Sequence, residues 1–247
     1  MEASKTALSR SSWTEGVKEL ASNVLQTYFR DYLKVPFSKP IYRRIEKIPF
    51  LPTTDETIEL IAGLTPQQAA FCQFLKETGA RAGEAHSVTW ADLHEGIVNI
   101  QPEKHSNPRR IKLSPKLMLM INKLPRKCPR VWGKSSLDNL AINYFRQRKA
   151  VATSLGNPRI QKISFHSFRR LKATLEYHNT KDIVHVQRLL GHKSIASTLK
   201  YIQLIDTSSD EWICKAATAP EEAAKLIEAG FTFETAINGV SLFKKRK

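Results

Sequence analysis

Pro36, Pro40, Pro49 and Pro52 fall within seventeen residues of one another and constrain this chain more than any other single feature. A proline fixes its own φ, lacks an N–H donor and pushes the residue before it out of the helical region. Residues 36–52 therefore cannot run on as a helix or sit inside a sheet; with Lys39, Arg43, Arg44 and Lys47 among them they predict an extended basic connector. Upstream, Ser12 and Glu15 stand at capping-box spacing before the apolar stripe Trp13, Val17, Leu20, Val24, Leu25, Tyr28, Phe29 and Tyr32. That stripe predicts one amphipathic helix over 13–33 whose apolar face needs a partner.

Beyond the connector, Thr65-Pro66 supplies an N-cap and a favoured first helical residue, and Ala69, Ala70, Phe71, Phe74 and Leu75 form a face that stops at Gly79. A second helix is expected from Gly83 to Leu93. "GIVNIQ" (96–101) and "RRIKLS" (109–114) alternate as short strands around "PEKHSNP", a hairpin with a long turn. Helices are expected over 115–123, 136–150, 168–178, 182–190, 194–204 and 220–229, and "FTFETAI" and "VSLFKK" flank the turn dipeptide Asn238-Gly239. The pattern is α+β, mostly helical, with a small antiparallel sheet.

With 247 residues, 41% of them apolar, and eleven Phe and four Trp, the chain can bury a core, so its net charge of +16 is not that of a disordered polycation. Residues 101–150 hold thirteen Lys and Arg against Glu103 and Asp138, a net of +11, and such a surface favours a polyanion: DNA, RNA or an anionic membrane. No apolar run of eighteen residues is present, which removes the main support for a membrane. Cys72, Cys128 and Cys214 are scattered and fit a reducing compartment, and His178, His185 and His192 lack the cysteines or paired carboxylates a metal centre needs.

"FHSFRRLKATLEYHN" (165–179) sets His166 and Arg169 three residues apart at the start of a helix. Cleaving a phosphodiester builds negative charge on nonbridging oxygens, which permanent guanidinium cations suit, and on the leaving oxygen, which a protonated Lys or His suits. Rejoining the strand requires a covalent nucleophile that conserves the bond, and a tyrosine can serve. The pieces are Arg81, Lys104, His166, Arg169, His192 and Tyr201. Each also has a plain reading: Arg81 capping helix carbonyls, Lys104 as a turn cation beside Lys112, His166 and Arg169 as a structural pair, His192 capping the next helix, Tyr201 in the core.

Order and spacing discriminate. "TGARAGEAHSVTWADL" (78–93), "EKHSNPRRIKLS" (103–114), "FHSFRR" (165–170) and "LLGHKSIASTLKYIQL" (189–204) closely resemble the tyrosine recombinase/integrase family, in particular archaeal Xer-like and viral integrases. The resemblance implies a tyrosine-recombinase catalytic domain over 53–205, a helical remnant of a core-binding domain with its linker over 1–52, and a helix and β-hairpin extension over 206–247. It implies site-specific cleavage and rejoining of double-stranded DNA by a homo-oligomer, a tetramer on DNA, in the cytoplasm and associated with the nucleoid, with no metal or nucleotide cofactor. Tyr201 would attack the phosphate and leave a 3′-phosphotyrosine and a free 5′-hydroxyl. Arg81 and Arg169 would grip the phosphate, and Lys104 would protonate the leaving oxygen. His166 would move the Tyr201 proton, His192 would hydrogen-bond the phosphate, and Glu84 would support Arg81.

The family commonly shows a small residue after the hairpin lysine, where His105 stands here. If 192–201 were one helix, nine residues at ~1.5 Å each would hold His192 and Tyr201 roughly 13 Å apart on opposite faces. Tyr201 must then arrive through a bend or from a neighbouring subunit. Two other functions fit parts of the sequence: a type IB topoisomerase, with similar chemistry, and a non-catalytic regulator that uses "DIVHVQRLLGHKSIASTLKYIQ" (182–203) as a helix-turn-helix.

Overall fold

A computed structural model describes residues 2–42, 48–103, 106–202, 212–237 and 239–246. The chain divides into two compact units, Met1–Pro49 and Phe50–Lys247. In the first, α1 (Glu2–Arg10), which the sequence pattern does not announce, precedes α2 (Glu15–Thr27). The helix expected over 13–33 begins late because Thr14 is extended (φ −65°, ψ 153°), which leaves Ser12 and Trp13 outside it. It ends in a wide turn over Tyr28–Tyr32, where the Leu33 N–H reaches back five residues to the Tyr28 carbonyl at 3.1 Å. Phe37 stacks on Phe29 with centroids 4.8 Å apart, and Ser22 Oγ donates to the Pro40 carbonyl at 3.4 Å, so the proline-rich segment folds back along α2.

The second unit opens with α3 (Thr54–Ala62), which the sequence analysis does not foresee although Thr53 and Glu56 form a complete capping box at its start. It packs on α4 (Pro66–Thr78), the central helix, in which Ala70, Phe71, Cys72, Phe74 and Leu75 are fully buried. Trp132 meets Phe71 and Phe74 edge-on at 5.1 and 5.5 Å and donates its indole N–H to the Ala85 carbonyl at 2.6 Å. Each such ring contributes about 1.5–3 kcal/mol by leaving water. Burial pushes the Cys72 thiol well up, which makes it an inert core group.

Gly79 ends α4 in the left-handed conformation (φ 62°), and α5 (Ala82–Ser87) follows at once. That helix is shorter than the expected 83–93: its last N–H bond runs from Val88 to Ala85, and Trp90–Asp92 forms a separate tight turn in which Asp92 accepts from the Thr89 N–H and hydroxyl. Strands β1 (Leu93–His94), β2 (Ile97–Ile100) and β3 (Arg109–Lys112) then make an antiparallel sheet in that order, with Val98 opposite Ile111 and Ile100 opposite Arg109. The hairpin turn at Lys104 and His105 lies outside the described residues.

Helices α6 (Pro115–Asn122) and α7 (Leu137–Ser154) lead to α8 (Phe165–Thr180), which lies against α4 and starts three residues before its expected place. Its N-cap Ser164 is tied to Ser167, whose Oγ accepts the Ser164 N–H at 3.0 Å. Next come α9 (Ile183–Leu190), ended by left-handed Gly191, and α10 (Ala196–Ile202). A second sheet, ordered β4-β6-β5, follows: β4 (Trp212–Ala217), α11 (Pro220–Glu228), β5 (Thr232–Ile237) and β6 (Val240–Arg246), with a small core of Ala217, Phe231 and Phe243. The expected terminal hairpin is present as β5 and β6; β4 is an addition to it. The architecture is α+β and mostly helical, with small antiparallel sheets.

Candidate active site

The turn that ends α4 delivers two groups to one place. The Gly79 carbonyl accepts from Arg169 Nη1 at 2.6 Å, and two residues later Arg81 stands at the N-cap of α5. Glu84 accepts the Arg81 N–H at 2.9 Å and Arg81 Nη1 at 2.9 Å, so one carboxylate fixes both backbone and guanidinium. Arg81 also donates to Ser106 Oγ at 2.8 Å, yet its side chain keeps 30% of its surface exposed and stays available.

His166 and Arg169 lie on one face of the first turns of α8, as three-residue spacing dictates. Arg169 is 1% exposed and is held by the Gly79 carbonyl, by the Leu190 carbonyl at 2.8 Å and by His192 Nε2 at 2.8 Å. Burial pushes its pKa down to about 10, which leaves it cationic at neutral pH. Since Arg169 can only donate, His192 Nε2 accepts, and the imidazole proton sits on Nδ1, which donates to the buried hydroxyl of Thr198 at 2.9 Å. Burial, with Arg169 next, lowers His192 to about 4 and keeps it neutral.

Tyr201 arrives through a bend. Gly191 at φ 68° turns the chain, α10 begins only at Ala196, and the Tyr201 and His192 rings lie nearly parallel with centroids 5.8 Å apart. A continuous helix would have held them on opposite faces. The Tyr201 hydroxyl meets His166 Nε2 at 3.2 Å within the same chain. His166 is lowered to about 4 by burial first and then by Arg170, Arg169 and Arg81, so at neutral pH it is an uncharged imidazole whose Nε2, in the Nδ1–H tautomer, can accept from the phenol. Beside them opens a cleft of about 420 Å³ lined by Arg81, Gly83, Glu103, Ser164 and His166 among others.

Arg81, His166, Arg169, His192 and Tyr201 are thus brought together from α5, α8, the turn after α9 and α10. Lys104 lies outside the described residues. The arrangement is one phenol facing a neutral base, beside two guanidinium groups that can hold an anion. Among the described residues no group of His, Cys, Asp or Glu is arranged to hold a metal, and no helix is long and apolar enough to cross a membrane. His185 instead pairs with Glu176 at 3.0 Å.

The sequence profile of the phage integrase family matches residues 53–207. The chain belongs to the phage integrase family. An integrase/recombinase of Sinorhizobium fredii (strain NBRC 101917 / NGR234) is 26% identical over 175 residues, covering 67% of this chain and 56% of its own. The tyrosine recombinase XerA of Saccharolobus solfataricus (strain ATCC 35092 / DSM 1617 / JCM 11322 / P2) is 27% identical over 139 residues, covering 54% of this chain and 44% of its own. The chain therefore spans about half the length of the curated relatives it matches. Among solved structures, a lambda integrase dimer bound to a COC′ core site superposes with a TM-score of 0.61 at 17% identity, over 80% of this chain and 61% of that one. A XerA recombinase superposes with a TM-score of 0.54 at 20% identity, over 84% of this chain and 78% of that one. The fold is that of the family's catalytic domains.

The candidate site of this phage integrase family member includes residues that motif spacing passed over. Arg109, Ser106 and Thr198 are buried and polar, and each bonds to a site residue or to the carbonyls beside one. Arg109 stands in the charge count of the basic stretch, where nothing separates a buried cation from a solvated one. Its place in the sequence, opposite inward-facing Ile100, is the available signal. Family membership also counts against the topoisomerase reading. Nor does family membership favour the helix-turn-helix regulator.

Proposed function

We propose that the protein is a site-specific recombinase that cleaves and rejoins DNA strands through Tyr201. The observation that carries the reading is the Tyr201 hydroxyl 3.2 Å from the neutral His166 imidazole, beside Arg169 and Arg81. In the forward step the Tyr201 oxygen bonds to phosphorus and its proton passes to His166 Nε2. The bond from phosphorus to the 5′ oxygen breaks with its electron pair staying on that oxygen, which takes a proton from Lys104. Arg81 and Arg169 hold the nonbridging oxygens, whose charge grows in the transition state. Reversal with a different 5′-hydroxyl rejoins strands, and the phosphotyrosine conserves the bond, so neither metal nor nucleotide is consumed.

His192 has two ways to act. With Nε2 accepting from Arg169 it orients that guanidinium; where a phosphate oxygen takes the place of Arg169 at Nε2, the proton moves to Nε2, the Thr198 hydroxyl donates to Nδ1, and His192 itself donates to the phosphate. The Thr198 hydroxyl serves both forms. Tyr201 meets His166 of its own chain, which supports cleavage in cis.

Double-stranded DNA as substrate and a tetramer on DNA are supported by the relatives: the solved lambda integrase structures include a tetramer bound to a Holliday junction. A cytoplasmic, nucleoid-associated location accompanies that reading, and the Saccharolobus solfataricus relative supports an archaeal origin. Residues 1–52 are read as a helical remnant of a core-binding domain with its linker, and 206–247 as a helix and β-hairpin extension. The test is denaturing electrophoresis with nicked duplexes: the protein should form a covalent DNA adduct that Tyr201→Phe loses while keeping duplex affinity. Adduct formation by Tyr201→Phe would overturn the assignment.

A further inference from the structure

We infer that Arg109 is a positioning residue for strand cleavage, fixing through Glu84 and the end of α9 the places of Arg81 and His192. The inference rests on the recombinase reading above. Arg109 lies on β3, the strand that follows the hairpin turn, and its side chain is 3% exposed. Its guanidinium is bound to a carboxylate, a carbonyl and a hydroxyl that also hold residues of the site.

Arg109 Nη2 pairs with Glu84, the carboxylate that also binds Arg81 through backbone and side chain. Arg109 Nη1 donates to the Leu190 carbonyl at 2.5 Å and to Ser106 Oγ at 3.3 Å. Ser106 in turn accepts from Arg81 and donates to the Gly191 carbonyl at 3.0 Å, while the Asn107 N–H donates to the same carbonyl at 3.0 Å. The Leu190 carbonyl is shared with Arg169. One buried fork therefore joins three elements: the hairpin, the start of α5 with Arg81, and the turn that presents His192. A Cβ on Gly191 would stand 2.8 Å from the Asn107 carbonyl, which shows how closely hairpin and turn approach.

The geometry yields a readout that mere packing would not. Glu84 is buried, which alone would raise its pKa; hydrogen bonds from the Arg81 backbone and from Arg109 outweigh this and hold it below the usual range. The charged groups around it are Arg81 before α5, Arg109 on β3, and Arg169 and His192, which feel its charge. The Glu103 carboxylate lies against neighbouring Gly83. Removing the Arg109 fork leaves Arg81 as its one paired cation, so Glu84 takes up a proton at higher pH. Arg81 then loses its anchor there.

The test compares the full chain with Arg109→Lys and Arg109→Met on nicked duplexes captured covalently from a random-sequence pool. Expected for the lysine variant is cleavage slowed by about 100-fold, the size of effect that a small misplacement of catalytic groups produces. Its duplex affinity should stay within about threefold, since no phosphate contact is removed, and the acid limb of its pH–rate profile should move up. Wild-type cleavage by Arg109→Lys overturns the inference, and so does a loss that follows duplex affinity with the acid limb unmoved. Carboxyl ¹³C NMR of Glu84 in both variants is the second measurement: a raised titration supports the role and an unchanged one refutes it. Should no duplex be captured by the unsubstituted protein, the recombinase reading fails by itself and the NMR result still decides whether Arg109 sets the state of Glu84.

Discussion

In the proposed reaction Tyr201 and His166 carry the chemistry, and the protonation state of His166 follows from its surroundings. His166 and His192 both sit near 4 because burial and neighbouring guanidinium groups disfavour the imidazolium. His166 can therefore accept a proton throughout the neutral range, and cleavage should be flat from pH 8 to 6 and fall as pH drops toward about 4, measured as single-turnover adduct formation. Activity rising on acidification would contradict a neutral base. The same shifts act on stability. A histidine whose folded pKa is depressed binds fewer protons folded than unfolded, so its contribution is present above the unfolded value near 6.5 and is lost as pH falls below it. Thermal melting should drop between about pH 6.5 and 4, and less steeply in His192→Gln. Thr198→Val tests the histidine's support: without the hydroxyl the Nδ1–H is left unpaired in a buried setting, which costs about 1–3 kcal/mol of stability in denaturant unfolding. Arg169→Ala should abolish cleavage while most salt-sensitive DNA binding survives, because many lysines share that attraction.

At the scale of elements, the site depends on two left-handed glycines that turn the chain at helix ends. Gly191→Ala would put a Cβ at φ 68° against the Asn107 carbonyl and should cost at least about 1 kcal/mol in chemical denaturation, with cleavage lost in the folded fraction. Both glycines were readable, since Gly79 follows an apolar helical face and Gly191 separates two periodic segments. Most helices and the β2–β3 hairpin were readable for the same reason, because Val98 and Ile100 alternate with exposed neighbours and α4 repeats apolar residues at helical spacing. What escaped had no period to show. The helix α5 stops at Ser87 because Val88 is pulled into a bridge with the Val131 segment, its carbonyl accepting the Val131 N–H, a contact made across forty-three residues. Strand β4 is defined by pairing with β6, twenty-six residues away at its Ala216–Leu242 step. In the site, the family pattern named Arg81, His166, Arg169, His192 and Tyr201; it did not name Arg109, Ser106 or Thr198, which are bonded to those residues or to the carbonyls beside them.

For the whole molecule, a net charge of +16 on a folded chain predicts DNA binding that weakens steeply with salt: if six to ten phosphates are neutralised, affinity should fall by about 10³–10⁵ between 50 and 200 mM salt, read by fluorescence anisotropy. The pairing of Tyr201 with His166 of the same chain predicts that mixing Tyr201→Phe with Arg169→Ala protein restores no cleavage, whereas assembly of the site across protomers would restore it. The central claim is that one phenol oxygen becomes esterified to a DNA phosphate, and mass spectrometry of the trapped adduct after nuclease and protease digestion tests it most directly. The account predicts a single peptide spanning residue 201 with a nucleotide phosphate on Tyr201; a phosphate attached at any other residue, or no attachment on a duplex that the protein cleaves, would contradict it.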